Sequence, residues 1–365
     1  MLLTYKFRVK DKHAAELNRQ ARAVNFVWNF CNETQKHALK WGKAWPSGYD
    51  LCGLTAGSAP LLGIHAQTIQ RVCRQYATSR RTHTKRSLRW RSRKSLGWVP
   101  FSTGVISYKD CAFTFRGKRY DVWLSRELPK GARIGAGSFN QDAKGNWYIN
   151  CPVEVPGVQS AGTASVGIDL GLKSFAVMSD GEAIEAQRFY RDLEPALAVA
   201  QRANNKKRVK AIHAKIANRR KDHLHKLSTR LVRENGAIFV GNVNAVGLAK
   251  TKMAKSVLDA GWSSFRAMLE YKAIRHQVLF AEVDEAWSTQ TCHECGSIAG
   301  PKGQTGLNER EWDCPDCGAH HLRDVNAASN IRERGHALLA GGTRASTRGG
   351  CQMFMNRLQL AGVPQ

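Results

Sequence analysis

Two C-x-x-C pairs near the end of the chain, Cys292-His293-Glu294-Cys295 and Cys314-Pro315-Asp316-Cys317, are separated by eighteen residues. Two such turns can place four thiolates tetrahedrally around one Zn²⁺, which leaves no open position for catalysis and makes the metal structural. Gly296 and Gly318 follow the pairs directly and suit the tight turns of a zinc ribbon. The alternative, two redox-active dithiols, fits the paired spacing less well. Six further cysteines are scattered singly, a pattern that suits a reducing cytoplasm with one metal site better than a disulfide framework. Cys31, Cys52, Cys73, Cys111 and Cys151 are expected as small buried hydrophobes. His293, His320 and His321 have ligand chemistry, but four cysteines complete the shell, so they are read as bystanders or nucleic-acid contacts.

Charge narrows the partner. Fifty-six Lys and Arg stand against 29 Asp and Glu, a net +27. Such an excess repels itself in a compact fold, and a polyanion is the simplest partner that neutralises it. No stretch approaches 18 consecutive apolar residues, so no membrane partner is expected. Met1 to Phe7 alternates apolar and polar residues like a strand and lacks the apolar core of a signal peptide.

At 365 residues the chain is long enough for two or three compact units. Residues 1–10 read as a strand, about 12–40 as an amphipathic helix and 41–63 as a connection, with another helical stretch to about 79. Residues 80–94 contain Arg80, Arg81, Lys85, Arg86, Arg89, Arg91, Arg93 and Lys94 and no acid. Trp90 and Trp98 beside that run offer stacking surfaces for bases, or are core tryptophans next to a solvated loop. Residues 101–155 carry short alternating runs between glycines and read as a small β-barrel or curled sheet that takes in the N-terminal strand. A turn-like linker over 155–162 separates the halves.

The second half opens with Val166-Gly167-Ile168-Asp169-Leu170-Gly171, a strand ending in a carboxylate beside glycines, before a second apolar run. This arrangement begins many RNase H-like folds, although alone it also matches ordinary hairpins. A helix is expected over roughly 185–235. Val209, Ile212, Ile216, Leu224, Leu227 and Leu231 form one stripe, and Arg219, Arg220, Lys221 and other cations form the opposite face. That face suits tracking of phosphates.

These motifs together resemble the TnpB proteins of bacterial insertion sequences, compact relatives of type V CRISPR effectors. The likeness is carried by Gly167-Ile168-Asp169-Leu170-Gly171, Ala217 to Asp222, Asp259-Ala260-Gly261-Trp262 and Met268 to Lys272. Ser288 to Cys292, the four-cysteine ribbon and Arg323-Asp324-Val325-Asn326-Ala327-Ala328 complete it. It is strong over about 165–335 and looser toward the N-terminus. The resemblance implies an α/β plus β fold: an RNase H-like (RuvC) domain with an inserted zinc ribbon, preceded by a β-barrel with an inserted helical bundle. It places a barrel (wedge) domain at 1–10 and 95–160, a helical recognition domain at 11–94, the nuclease domain at 161–290 and 319–335, and the ribbon at 291–318. Residues 336–365, rich in Gly, Ser, Thr and Arg, are expected as a disordered tail. It also implies a guide RNA from the element's own end, a double-stranded DNA target read by guide pairing, and a cytoplasmic, nucleoid-associated location. Arg86, Arg89, Arg91, Arg93, Lys94, Arg219, Arg220 and Lys221 would then hold nucleic-acid backbone.

One position departs from the family. Members have an apolar strand ending in Glu, the second metal-binding carboxylate. Here Ala237-Ile238-Phe239-Val240 is followed by Gly241. Residues 278–283 read as the next strand and lead into Asp284-Glu285, where the family commonly has proline in place of Glu285. A carboxylate at the end of a neighbouring parallel strand can enter the same site. The expectation is therefore two-metal hydrolysis of DNA phosphodiesters, with Asp169, Glu285 and Asp324 holding Mg²⁺. The competing readings are a nuclease-dead, RNA-guided repressor, in which Glu285 is a surface acid and Asp324 a helix cap, and a strand-joining transposase.

Overall fold

The structure, a computed structural model, describes residues 2–83, 88–129, 131–306 and 308–340. It divides after Pro156, inside the expected linker, into two units. Among the described residues no helix is long and apolar enough to cross a membrane.

In the first unit, β1 (Leu2–Val9) is followed by four helices, α1 (Ala14–Lys40), α2 (Gly48–Leu54), α3 (Ala59–Leu62) and α4 (Ala66–His83). The strands β2 (Trp98–Phe101), β3 (Ile106–Lys109), β4 (Ala112–Phe115), β5 (Lys118–Trp123), β6 (Gly137–Gln141) and β7 (Trp147–Glu154) then follow. The helices are thus an insertion between the first two strands of the sheet, whose order is β2-β6-β7-β1-β5-β4-β3. Alternation drives the sheet to curl. Tyr5, Phe7 and Val9 of β1 and Trp147, Ile149, Cys151 and Val153 of β7 all point inward. Phe101 of β2 comes within 6.1 Å of Phe115 of β4, ring to ring, although four strands lie between them in the order. Among the described residues no ladder joins β2 to β3, so the sheet is curled with two free edges rather than closed by hydrogen bonds.

The basic stretch after α4 is laced to α1. Asn29 Nδ2 donates to Arg91 O (2.8 Å) and its Oδ1 accepts from Arg91 N–H (2.9 Å). Asn32 pairs in the same way with Leu88 O (2.8 Å) and Leu88 N–H (3.2 Å). Two side-chain amides therefore replace a neighbouring strand. Of the single cysteines, Cys31, Cys73 and Cys151 are buried as expected, Cys52 is half-buried, and Cys111 is exposed at a turn.

The second unit is built on β8 (Ala164–Leu170), β9 (Ser174–Met178), β10 (Ala183–Glu185), α5 (Glu194–Arg202), α6 (Lys206–Glu234), β11 (Asn235–Gly241), α7 (Ala245–Leu248), α8 (Ala254–Ala260), α9 (Trp262–His276) and β12 (Leu279–Val283). It ends with α10 (Gly303–Gly306), β13 (Glu311–Asp313), β14 (His320–Leu322) and α11 (Arg323–Ala340). The main sheet has the order β10-β9-β8-β11-β12, with β8, β11 and β12 parallel and β9 and β10 antiparallel. Period-two alternation splits its residues between two layers. Val166, Ile168, Leu170, Ile238 and Val240 pack into one core with α6 and α9. Ala237, Phe239, Ala281 and Val283 pack with Ile331 of α11 into another. The helix expected over 185–235 is two helices and a short strand. Asn204 takes a left-handed φ of 49°, and the Asn205 side chain caps α6 by accepting from Arg208 N–H (2.9 Å). At the other end α11 runs to Ala340, five residues into the expected tail; residues 341–365 lie outside the described residues.

Candidate metal centre and nucleic-acid interface

Gly167 and Asp169 share the face of β8 that looks toward α11. A Cβ built on Gly167 would lie 2.0 Å from Ala328 O, so at this point α11 rests directly on the strand backbone. One helical turn before Ala328 is Asp324, and two residues along β8 from Gly167 is Asp169, so packing at the glycine aims the two carboxylates at one region. On the neighbouring strand Val240 pairs with Ile168, and one step further brings Gly241 level with Asp169.

The space over Gly241 is filled from one strand over. A Cβ built on Gly241 would meet Glu285 Oε2 at 2.7 Å and Glu285 Cβ at 3.4 Å. The Glu285 carboxylate thus lies where a side chain at 241 would begin. It reaches there because β12 runs parallel to β11, with Gly241 opposite Val283, and because Asn242 Oδ1 accepts from Glu285 N–H (3.3 Å). Glu282 sits on the opposite face and pairs with Arg266 of α9 (2.9 Å). Asp169 feels the other two carboxylates. Burial, then the charges of Asp324 and Glu285, raise Asp169 from its ordinary 3.8 to about 7, with Arg323 opposing. Burial raises Glu285 as well, against the pull of Arg266. Arg310 Nη1 lies 3.2 Å from Asp324 Oδ2, placed there by the backbone pair Arg323 N–H to Arg310 O (2.8 Å). Among the described residues the four cysteines form a group whose ligand atoms all lie within 4.8 Å of one another.

The four thiols lie close enough together to hold a tetrahedral ion. Zn–S bonds of about 2.3 Å imply sulfur–sulfur edges of about 3.8 Å. Cys292 Sγ lies 3.6 Å from Cys317 Sγ, and Cys295 Sγ lies 3.7 Å from Cys314 Sγ. Each pair sits in a tight turn closed by the amide of the glycine after it, Gly296 N–H to Cys292 O and Gly318 N–H to Cys314 O, and both glycines have positive φ. His321, expected as a bystander, is buried, with Nε2 3.0 Å from Cys292 Sγ, and so orients a thiolate. Asn326 and Asn330, neighbours on α11, donate to Ser288 O and Thr291 O just before Cys292. The ribbon and the helix carrying Asp324 are therefore joined. Neither asparagine was singled out from sequence, although their spacing of four within Arg323-Asp324-Val325-Asn326-Ala327-Ala328-Ser329-Asn330 places them on one helix face. Arg310 carries no local signal.

The expected phosphate-binding cations divide. Arg89, Arg93, Lys94, Arg219 and Lys221 are exposed. Arg91 is turned inward, donating to Asn25 Oδ1 (2.5 Å) and Leu96 O (2.7 Å) and lying over Trp98. Arg220 donates to Leu258 O (2.6 Å) and lies 3.6 Å from buried Asp259. Both brace the fold. Arg86 lies outside the described residues. Trp98 packs edge-on against Trp28, whereas Trp90 is exposed beneath Lys36 (4.5 Å).

The second unit thus combines a mixed five-stranded sheet, carboxylates on its α11 face and a four-cysteine hairpin that could hold a metal such as zinc. Residues 148–252 match the family described as "Probable transposase" (OrfB_IS605), and 262–331 match the "Cas12f1-like, TNB domain". A Streptomyces pristinaespiralis protein named "Putative RNA-guided DNA endonuclease" is 33% identical over 99% of this chain and 97% of its own length. Escherichia coli (strain K12) InsQ, with the same description, is 31% identical over 54% of this chain and 56% of its own. The chain in a cryo-EM structure of a Cas12f1–sgRNA–target DNA complex shares the fold, with a TM-score of 0.58 over 88% of this chain and 83% of that one, at 12% identity. The chain belongs to the TnpB family.

Two outcomes follow. Cys292→Ser or Cys314→Ser lowers zinc from about one ion per chain and destabilises the second unit, because metal binding here is folding energy; full zinc content with both pairs disrupted contradicts the site. In Mg²⁺-free buffer the folded chain keeps a proton on Asp169 to about pH 7, where the unfolded chain has already lost it. Stability therefore falls as pH rises from about 4 toward 7. Thermal unfolding shows this slope weakened in Asp169→Asn; equal slopes in the two proteins contradict it.

Proposed function

We propose that the chain is an RNA-guided DNA endonuclease that hydrolyses DNA phosphodiesters at the Asp169–Glu285–Asp324 edge. The observation that carries this reading is the Glu285 carboxylate standing over Gly241, level with Asp169. On this reading the five-stranded sheet is a RuvC-like nuclease domain. The curled sheet and its inserted helices are the wedge and recognition lobe, and the partners are a guide RNA from the element's end and double-stranded DNA. Asp169, Glu285 and Asp324 would hold Mg²⁺, which would activate water and stabilise the leaving 3′-oxygen. Arg310 balances the charge of Asp324. Asn242 positions the start of the Glu285 turn. Arg89, Arg93, Lys94, Arg219 and Lys221 supply sequence-independent contacts to phosphates. The repressor reading draws on Gly241 alone, and the carboxylate over that glycine weighs against it.

The test is guided cleavage. RNA that copurifies with the protein is sequenced, and a matching DNA target is offered with Mg²⁺. Wild type cuts it, Asp169→Ala and Glu285→Ala lose roughly a hundredfold or more while still binding, and Glu282→Ala stays within about threefold. A wild type that binds the guided target but never cuts it makes the protein a repressor.

A further inference from the structure

The turn between β12 and the first cysteine pair holds a strained aromatic. Trp287 has a φ of 64°, in the left-handed region that bulky residues rarely occupy, and its relative exposure is 61%. Such a backbone persists only where the surroundings over-determine it. Here they do. Arg334 Nη1 donates to Asp284 O (2.9 Å) and Ala286 O (2.7 Å), and Ser288 N–H closes onto Glu285 O (3.0 Å). Trp287 O accepts from the Thr291 N–H and hydroxyl, both at 2.9 Å, while Asn326 and Asn330 hold Ser288 O. Glycine would take this conformation without strain. The chain instead spends its rigidity on presenting an indole to solvent, whereas Trp147, Trp262 and Trp312 are buried. Among the described residues no ring or cation stacks on Trp287, and its side chain makes no hydrogen bond. Its Cα lies within about 7 Å of that of Glu285, two residues before it.

We propose that Trp287 is a nucleobase-stacking site whose ligand is an unpaired base of the DNA strand entering the carboxylate edge. An exposed, fixed indole in a chain of net charge +27 suits a single strand, because unpaired bases offer the open π-face that stacking needs and the chain's excess of cations favours a polyanion. The identity of the strand rests on the nuclease reading; stacking itself does not. Fixing the indole beforehand removes the ordering loss on binding and sets the register of the strand relative to Glu285.

The experiment compares Trp287→Gly and Trp287→Tyr in the full chain with its copurified RNA. Gly relieves the left-handed strain, so its thermal midpoint equals or exceeds that of wild type. It nevertheless weakens binding of a short fluorescent single strand in Mg²⁺-free buffer about 5- to 150-fold, the loss of one stacked base. In Mg²⁺ it raises KM for the guided target while kcat stays within about threefold. Tyr keeps a ring and stays within about threefold of wild type in both assays. A Trp287→Gly protein that folds well and binds the single strand like wild type overturns the proposal, as does a Tyr variant that binds as weakly as Gly. A wild type that does not cut removes the nuclease reading only, because the Mg²⁺-free binding comparison still decides on stacking.

Discussion

The carboxylate of Glu285 occupies the volume over Gly241, 2.7 Å from where a Cβ would stand, and brings a third negative charge to the edge that Asp169 and Asp324 already share. Charges gathered in this way oppose folding. The strain is visible in Asp169, which burial and its two neighbours hold at about 7. Most of the second unit can be read as the scaffold that keeps this edge assembled. Parallel pairing sets β12 against β11, close contact at Gly167 seats α11, and Arg310 balances Asp324.

Zinc enters the same arrangement at one remove. The four thiolates close a hairpin whose first turn is pinned by Asn326 and Asn330, two and six residues beyond Asp324 on α11. The four-cysteine hairpin is therefore tied directly to the carboxylate edge. It fixes the start of α11 and, through Ser288 O, the turn that carries Glu285 and Trp287. Loss of the ion is expected to loosen the carboxylates before the sheet itself gives way.

What could be read in advance was local. Two C-x-x-C turns, a strand ending in Asp169 and period-two alternation through 237–241 and 278–283 each express their geometry within a few residues. The glycine at 241 and the nearness of Glu285 to it were also legible, because parallel neighbouring strands end at the same edge. Contacts across sequence were not. Arg91 and Arg220 look like their neighbours in a basic run, and only the fold shows them turned toward Asn25 and Asp259. Arg310 reaches Asp324 through a backbone pair that no spacing announces. The break at Asn204 and the left-handed Trp287 are backbone choices imposed by neighbouring contacts, against the preference of the residues themselves.

The central claim is that Glu285 does the work of a glutamate at 241. Relocating the carboxylate tests it most directly, by measuring guided cleavage in Mg²⁺ for Glu285→Ala and for the double variant Gly241→Glu/Glu285→Ala. The displaced oxygen in the first leaves room for the new side chain in the second. The account predicts that Glu285→Ala is inactive and that the double variant recovers cleavage to within about tenfold of wild type. Full activity in Glu285→Ala, or a well-folded, zinc-loaded double variant that binds target and does not cut, would contradict it.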